Sequence, residues 1–347
     1  MSIQRLFLQA IAITALGTAV ARGADEVQTA SLLFTTENDL YANMFNYKNH
    51  DRHYTQGLKI MYLASERDFT RTCSNLNICL PKLGIDQETC NIGFAFGQNM
   101  YTPIDKASYA PVLNDQPYAG WLYGSFIFQR RGITLKDIPT LDSYEIDLGV
   151  VGPASIANVT QSQWHRWIHS DIPNGWENQL KNEPGIVLKY ARYWRLTPNE
   201  DVGRFFDIVP HLGADLGNIR IDANIGGVLR LGYNLPQDFG ITTIEGTAPY
   251  NAPVSKEKGR WFSCHVFVGG EGRAIARDIF LDGNSFADSL SVNKKPFVGD
   301  FIWGAGILLF QFLDVSFTGV IRSDRFERQP GGGDAFGCLT IKGIFPI

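Results

Sequence analysis

From Tyr144 to Val150 the chain alternates without a break: Tyr144, Ile146, Leu148 and Val150 are apolar, and Glu145, Asp147 and Gly149 lie between them. A period of two sends successive side chains to opposite faces of a strand, so one face meets an apolar medium and the other a polar one. The pattern recurs. Tyr54, Leu58, Ile60 and Tyr62 oppose Thr55, Gly57, Lys59 and Met61; Phe262, Cys264, Val266 and Val268 oppose Ser263, His265, Gly269 and Glu271; Val315, Phe317 and Gly319 oppose Ser316 and Thr318. Runs of this kind predict about twelve strands: 31–38, 54–64, 91–100, 119–131, 143–152, 186–197, 204–216, 225–235, 260–275, 294–311, 313–324 and 335–346.

Past residue 23 there is no stretch of about 18 apolar residues, so no transmembrane helix is expected. A membrane protein without such helices must be a closed barrel, because only closure satisfies every backbone group in lipid. An even number of strands, with aromatic residues near their ends (Tyr54, Tyr62, Trp121, Tyr123, Tyr190, Tyr193, Trp194, Trp261, Trp303), matches an antiparallel up-and-down transmembrane β-barrel with interfacial girdles. The competing fold is a large secreted β-sandwich, which also alternates. With 35 glycines, 12% aromatic and 19% charged residues, the composition suits many short strands and turns.

Arg5, the apolar run Leu6 to Val20 and the small residues around Ala21 read as a signal peptide over 1–23, leaving 24–347 as a single barrel domain in the bacterial outer membrane. A net charge of -4 without a Lys/Arg cluster excludes a nucleic-acid footprint. Of the five cysteines, Cys73, Cys79 and Cys90 share one polar segment, where one local disulfide is expected, and no CxxC argues for zinc. A monomer is expected.

With both termini periplasmic, the external loops are 39–53, 101–118, 153–185, 217–224, 276–293 and 325–334. The third departs from the β pattern: Gln161 to His169 reads as a short helix, broken at Pro173-Asn174-Gly175 before a second segment, Trp176 to Lys181. Gln161, His165 and His169 lie four apart, one face of such a helix. A histidine pair at that spacing binds zinc in HExxH, but Arg166 stands where the glutamate belongs. The bland alternative is an interfacial helix whose Trp164, Trp167 and Trp176 rest at headgroup level.

The same mouth receives Asn38, Asp39 and Thr55. Histidine serves as a general base, and carboxylate and amide oxygens are what Ca²⁺ prefers. Metal-assisted hydrolysis is therefore expected, with Asp39 and Asp171 as metal ligands, Asn38 as an oxyanion or metal partner, and His165 activating water. Arg52 and Lys106 would suit an anionic, phosphate-bearing lipid. Serine hydrolysis lacks its GxSxG mark, though Gly124-Ser125 and Gly283-Asn284-Ser285 place serines near glycines, so an outer-membrane phospholipase is a weaker alternative. A pore or scaffold without catalysis is the non-enzyme alternative.

Glu37-Asn38-Asp39, Asp51-Arg52-x-Tyr54-Thr55-x-Gly57, Tyr101-Thr102-Pro103, Asp115-Gln116-Pro117-Tyr118-Ala119-Gly120-Trp121, Gly149-Val150-Val151-Gly152-Pro153, Gln161-x3-His165 and Trp176-x2-Gln179 together resemble the lipid A 3'-O-deacylase family of outer-membrane proteins. The resemblance is strong over 31 to about 185. It implies a twelve-stranded barrel that removes the 3'-linked acyloxyacyl chain of lipid A at the outer leaflet by Ca²⁺-dependent ester hydrolysis. It implies catalytic roles for Asn38, Thr55, Gln161 and His165. The chain departs from the family pattern at Leu40, where a second acid is usual, and at Asp171, where glutamate is.

Overall fold

Thirteen antiparallel strands form one sheet in the computed structural model, which describes residues 29–43, 52–68, 72, 83–134, 137–198, 200–246 and 261–347. They are β1 (Thr29–Asn38), β2 (His53–Leu63), β3 (Arg67–Asp68), β4 (Ile85–Thr102), β5 (Ala119–Thr134), β6 (Ile138–Val151), β7 (Glu183–Trp194), β8 (Phe206–Gly217), β9 (Arg220–Tyr233), β10 (Phe262–Asp278), β11 (Phe297–Leu309), β12 (Leu313–Arg322) and β13 (Asp334–Pro346). Each long strand pairs with the next, β13 returns to β1, and β2 pairs with β4, so twelve strands close into a barrel with no free edge. The two-residue β3 only flanks β4. The expected strands are all present, with β4 starting at Ile85 instead of 91, β6 at Ile138 instead of 143 and β9 at Arg220 instead of 225.

Burial follows the alternation, with the usual sense of a soluble sheet inverted. On β6, Leu148 is 59% exposed while its neighbour Asp147 is 1% exposed, so the apolar face looks outward to lipid and the carboxylates look inward. Phe94, Phe96, Ile146, Ile225, Val266 and Val268 are exposed in the same way. The lumen holds ion pairs: Lys59 with Glu145 (2.6 Å), Arg230 with Asp207 (2.7 Å) and Arg322 with Asp300 (2.8 Å). No helix among the described residues is long and apolar enough to cross a membrane.

The connection after β9 has no strand or helix period of its own, yet residues 235–246 run inside the barrel. Leu235 N–H donates to Arg204 O at the start (2.8 Å), and Glu245 reaches Tyr101 at the far end of β4, so the segment traverses the lumen. Phe239 and Ile241 pack with Tyr193, Val209, Val228, Phe267 and Ile302, and Asp238 pairs with Arg230. A lumen occupied this way does not read as an open pore. The expected signal peptide, Cys73 and Cys79 lie outside the described residues; Cys90 is buried on β4.

Among the helices at the external end of the barrel, two flank the rim between β1 and β7. Helix α1 (Leu40–Asn43) follows β1 directly, and α2 (Ala157–Ile168) is preceded by a 3₁₀ turn at Pro153–Ser155.

Candidate active site

One row of the sheet organises the external rim. Asn38 on β1 lies opposite Gln56 on β2, Gln56 opposite Met100 on β4, and Met100 opposite Gly120 on β5. At roughly 4.8 Å per strand, Asn38 is about 10 Å from Met100. Helix α2 stands on the other end of that row. Ala157 and Trp176 pack on Met100, Gln98 Nε2 donates to Ser155 O (2.6 Å), and a Cβ at Gly120 would collide with Ser155 and Ala157. Glycine in the Tyr118-Ala119-Gly120-Trp121 motif is therefore what lets the helix approach the wall. Tyr101 and Asn99 reach the lumenal Glu245, so Gln98, Met100 and Thr102 between them face outward. The site is on the outer face of the barrel, between its wall and α2.

Thr55 joins this face through an irregularity. The β2–β4 register shifts between Tyr54 and Gln56, and the extra residue leaves Tyr54 lumenal while Thr55 Oγ1 bonds Thr102 Oγ1 (2.7 Å). Bulges re-aim side chains in this way next to active sites.

The carboxamides are fixed by chemistry. Trp176 Nε1–H donates to Gln161 Oε1 (2.8 Å); indole nitrogen is a donor only, so the amide oxygen must face it. Gln161 Nε2 is then left as a donor; Gln161 is 1% exposed, and this atom has no partner among the described residues. Asn38 Oδ1 accepts from Leu40 N–H (2.8 Å), which leaves its Nδ2 as a donor too. His165 Nδ1 bonds the backbone carbonyl of Asp171; a carbonyl only accepts, so Nδ1 carries the proton and Nε2 the lone pair.

Several expectations change here. Asp171 contributes its carbonyl to His165, while its side chain is exposed. His169 is not on the Gln161/His165 face: α2 ends at Ile168 and His169 is in the left-handed conformation, so the zinc pair does not form. Arg52, expected to meet an anionic headgroup, is buried, donating to Gly331 O (2.8 Å) and Gly333 O (2.9 Å) beside Asp334. Lys106 does lie beside the helical loop, its carbonyl accepting from Asn174 N–H (2.8 Å). Glu37 faces the lumen, away from Asn38. Ser125 is lumenal, bonded to Asp147, and Ser285 accepts from Arg277, so neither serine meets a histidine.

Around the rim, His53 at the start of β2 ties the start of β13 to the β4–β5 loop: Nδ1 to Asp334 (2.6 Å) and Nε2 to Asp115 (3.0 Å). Burial alone would raise the Asp115 carboxyl, but hydrogen bonds from His53 and from the Ile104 and Gln116 amides outweigh it and hold it below the usual range.

A calcium ion needs hard oxygen donors. Asp39 supplies one buried carboxylate, at the end of β1 where its N–H reaches Thr55 O (3.4 Å). Among the described residues no group of three or more His, Cys, Asp and Glu side chains converges as a metal cluster. The donor set therefore fits calcium only as a single-carboxylate anchor completed by backbone and water oxygens.

A family model described as outer membrane protein LpxR matches residues 6–345. The chain belongs to the LpxR family. The sequence motifs point to the same family of lipid A deacylases, and membership places the protein in the bacterial outer membrane. Among solved structures, LpxR from Salmonella typhimurium matches 91% of this chain and 100% of its own at 19% identity, with a TM-score of 0.69, which shows the shared barrel fold. The translocator domain of the autotransporter NalP from Neisseria meningitidis matches at 8% identity, covering 98% of this chain and 96% of its own, with a TM-score of only 0.37. No curated protein matches the chain.

Proposed function

We propose that this LpxR-family barrel is a lipid A 3'-O-deacylase that hydrolyses the ester of the 3'-linked acyloxyacyl chain at the outer leaflet, working as a monomer. The observation that carries the reading is the filled state of the other halves of three side chains. The Trp176 indole holds the oxygen of Gln161, the Leu40 amide holds the oxygen of Asn38, and the Asp171 carbonyl holds Nδ1 of His165. What is left is two N–H₂ donors and one imidazole lone pair, the set that ester hydrolysis needs.

In this mechanism His165 Nε2 takes a proton from water as the water oxygen attacks the ester carbonyl. Nδ1–H stays on the Asp171 carbonyl, so the ring keeps its orientation as it becomes an imidazolium. The Asn38 and Gln161 N–H₂ groups receive the oxyanion, and Thr55 with Thr102 lines the wall beside it. On collapse the sugar oxygen leaves, taking its proton from Nε2. Calcium held at Asp39 would add positive charge beside the ester. One carboxylate makes such a site weak, in the range of about 10⁻⁴ to 10⁻³ M. Lys106 is the cation offered to an anionic headgroup.

Incubating the purified protein with lipid A and weighing the products by mass spectrometry tests the reading. The expected products are lipid A without its 3' acyloxyacyl chain and the free acid, with activity lost to a chelator and restored by millimolar calcium. Unchanged lipid A from a folded barrel at any calcium concentration would overturn it.

A further inference from the structure

The lumenal segment presses on the barrel wall at the back of the site. The wall is one strand thick, so Asn38 and Thr55 on its outer face have Glu37 and Tyr54 as their neighbours on the inner face. The Glu37 carboxylate is wholly buried and accepts three hydrogen bonds: Tyr54 hydroxyl (2.7 Å), Ile244 N–H (2.6 Å) and Glu245 N–H (3.1 Å). Two of the three come from the lumenal segment. Glu245 is itself anchored, accepting from the Tyr101 hydroxyl, Asn99 Nδ2 (3.1 Å) and Arg220 (3.1 Å), with Arg322 at 3.4 Å. The Tyr54 ring is wedged between Tyr101 (centroids 5.5 Å apart) and Phe336 (5.2 Å). On the outer side, Thr55 Oγ1 bonds Thr102 Oγ1 (2.7 Å), Asn38 Oδ1 accepts from Leu40 N–H (2.8 Å), and the Asp39 amide reaches Thr55 O at 3.4 Å.

We propose that residues 235–246 are a through-barrel brace: the Ile244 and Glu245 amides grip Glu37 and thereby hold Asn38 and Thr55 in register on the opposite face of the wall. Glu37, Ile244 and Glu245 are positioning residues, and none of them touches substrate. The inference rests on the reading that Asn38 and Thr55 belong to the site. A lumenal plug without this role would add stability to the barrel and leave the outer rim alone. A brace instead couples the lumen to the geometry of the rim, where a displacement of about 1 Å costs on the order of 10²-fold in rate.

Ile244→Pro removes one gripping N–H, and Glu37→Ala removes the acceptor while Glu37→Gln keeps an oxygen. In the full-length protein, with heat-modifiable gel migration certifying the barrel, Ile244→Pro and Glu37→Ala are expected to raise amide exchange of peptides spanning 36–43 about tenfold or more. Exchange in β8 and β9 should not change. kcat should fall about 10- to 100-fold at nearly constant KM, with Glu37→Gln intermediate. Unchanged exchange at 36–43 in an inserted variant would overturn the brace whether or not the protein deacylates lipid A. Raised exchange in the variants, with an intact protein that leaves lipid A untouched, would support the brace and contradict the catalytic reading instead. If Ile244→Pro does not insert, the Glu37 pair decides by the same exchange readout.

Discussion

The barrel lumen and the outer rim beneath α2 are both lined with polar side chains, but they use them differently. In the lumen, ionic groups are spent on one another: Arg230 bonds Asp207 and Asp238, Arg273 bonds Glu271 and Asp300, and Lys59 bonds Glu145. A charge buried this deeply is tolerated only when paired. At the rim, Gln161, Asn38 and His165 each have one end filled by the protein, and the other end is the one the proposed hydrolysis uses. Dense pairing holds a barrel together, and half-satisfied polar groups held in fixed orientation are what the proposed substrate site is built from.

That contrast breaks or sharpens under substitution. His165→Ala removes the proposed base and should lower the rate of acyl release about 10²- to 10⁴-fold with the barrel intact; a loss of less than tenfold in the purified protein would end that role. Gln161→Leu and Asn38→Leu should each cost about 10²- to 10³-fold, mostly in kcat, as expected for a lost oxyanion donor. Arg230→Met works the other way. It strands Asp238 in the lumen, leaves Asp207 with Arg195 alone, and should destabilise the barrel by about 3–5 kcal/mol in chemical unfolding, with little change in the rate of protein that remains folded.

Smaller effects test the supporting shell. Trp176→Phe keeps the ring but removes the N–H that orients Gln161, worth about 1 kcal/mol or roughly fivefold in kcat. Wild-type rates from that variant would show that the carboxamide is oriented by something else. The Asp115–His53 clamp gives a pH dependence. Because Asp115 titrates below its ordinary value, its contribution is present in full above about pH 4 and is lost as pH falls through the lower folded-state value. Thermal stability should therefore decline on acidification in that window, and Asp115→Asn should flatten the decline.

Much of the fold was legible because alternation is local: each strand declares its two faces in its own seven to ten residues. The lumenal segment was not. Leu235-Pro236-Gln237-Asp238-Phe239-Gly240-Ile241 has no period, carries turn-forming Pro236 and Gly240, and packs Phe239 and Ile241 against Tyr193, Phe267 and Ile302 on strands far away in sequence as well as Val228 on β9. At the site, residue identity was legible and partnership was not. Gln161 and His165 stood out by spacing, but the Trp176 indole that selects the oxygen of Gln161 is fifteen residues away, within a 3₁₀ turn. Arg52 looked like a headgroup ligand because charge alone does not show that Gly331 and Gly333 carbonyls from another loop occupy it.

The claim that chemistry belongs to the rim and not to the lumen is tested most directly by the lipid A of cells making the intact protein, His165→Ala or Ser125→Ala, each confirmed as inserted. Mass spectrometry should show lipid A lacking its 3' acyloxyacyl chain with the intact protein and with the lumenal Ser125→Ala, and none with His165→Ala. Deacylated lipid A persisting in His165→Ala, or vanishing in Ser125→Ala, would contradict it.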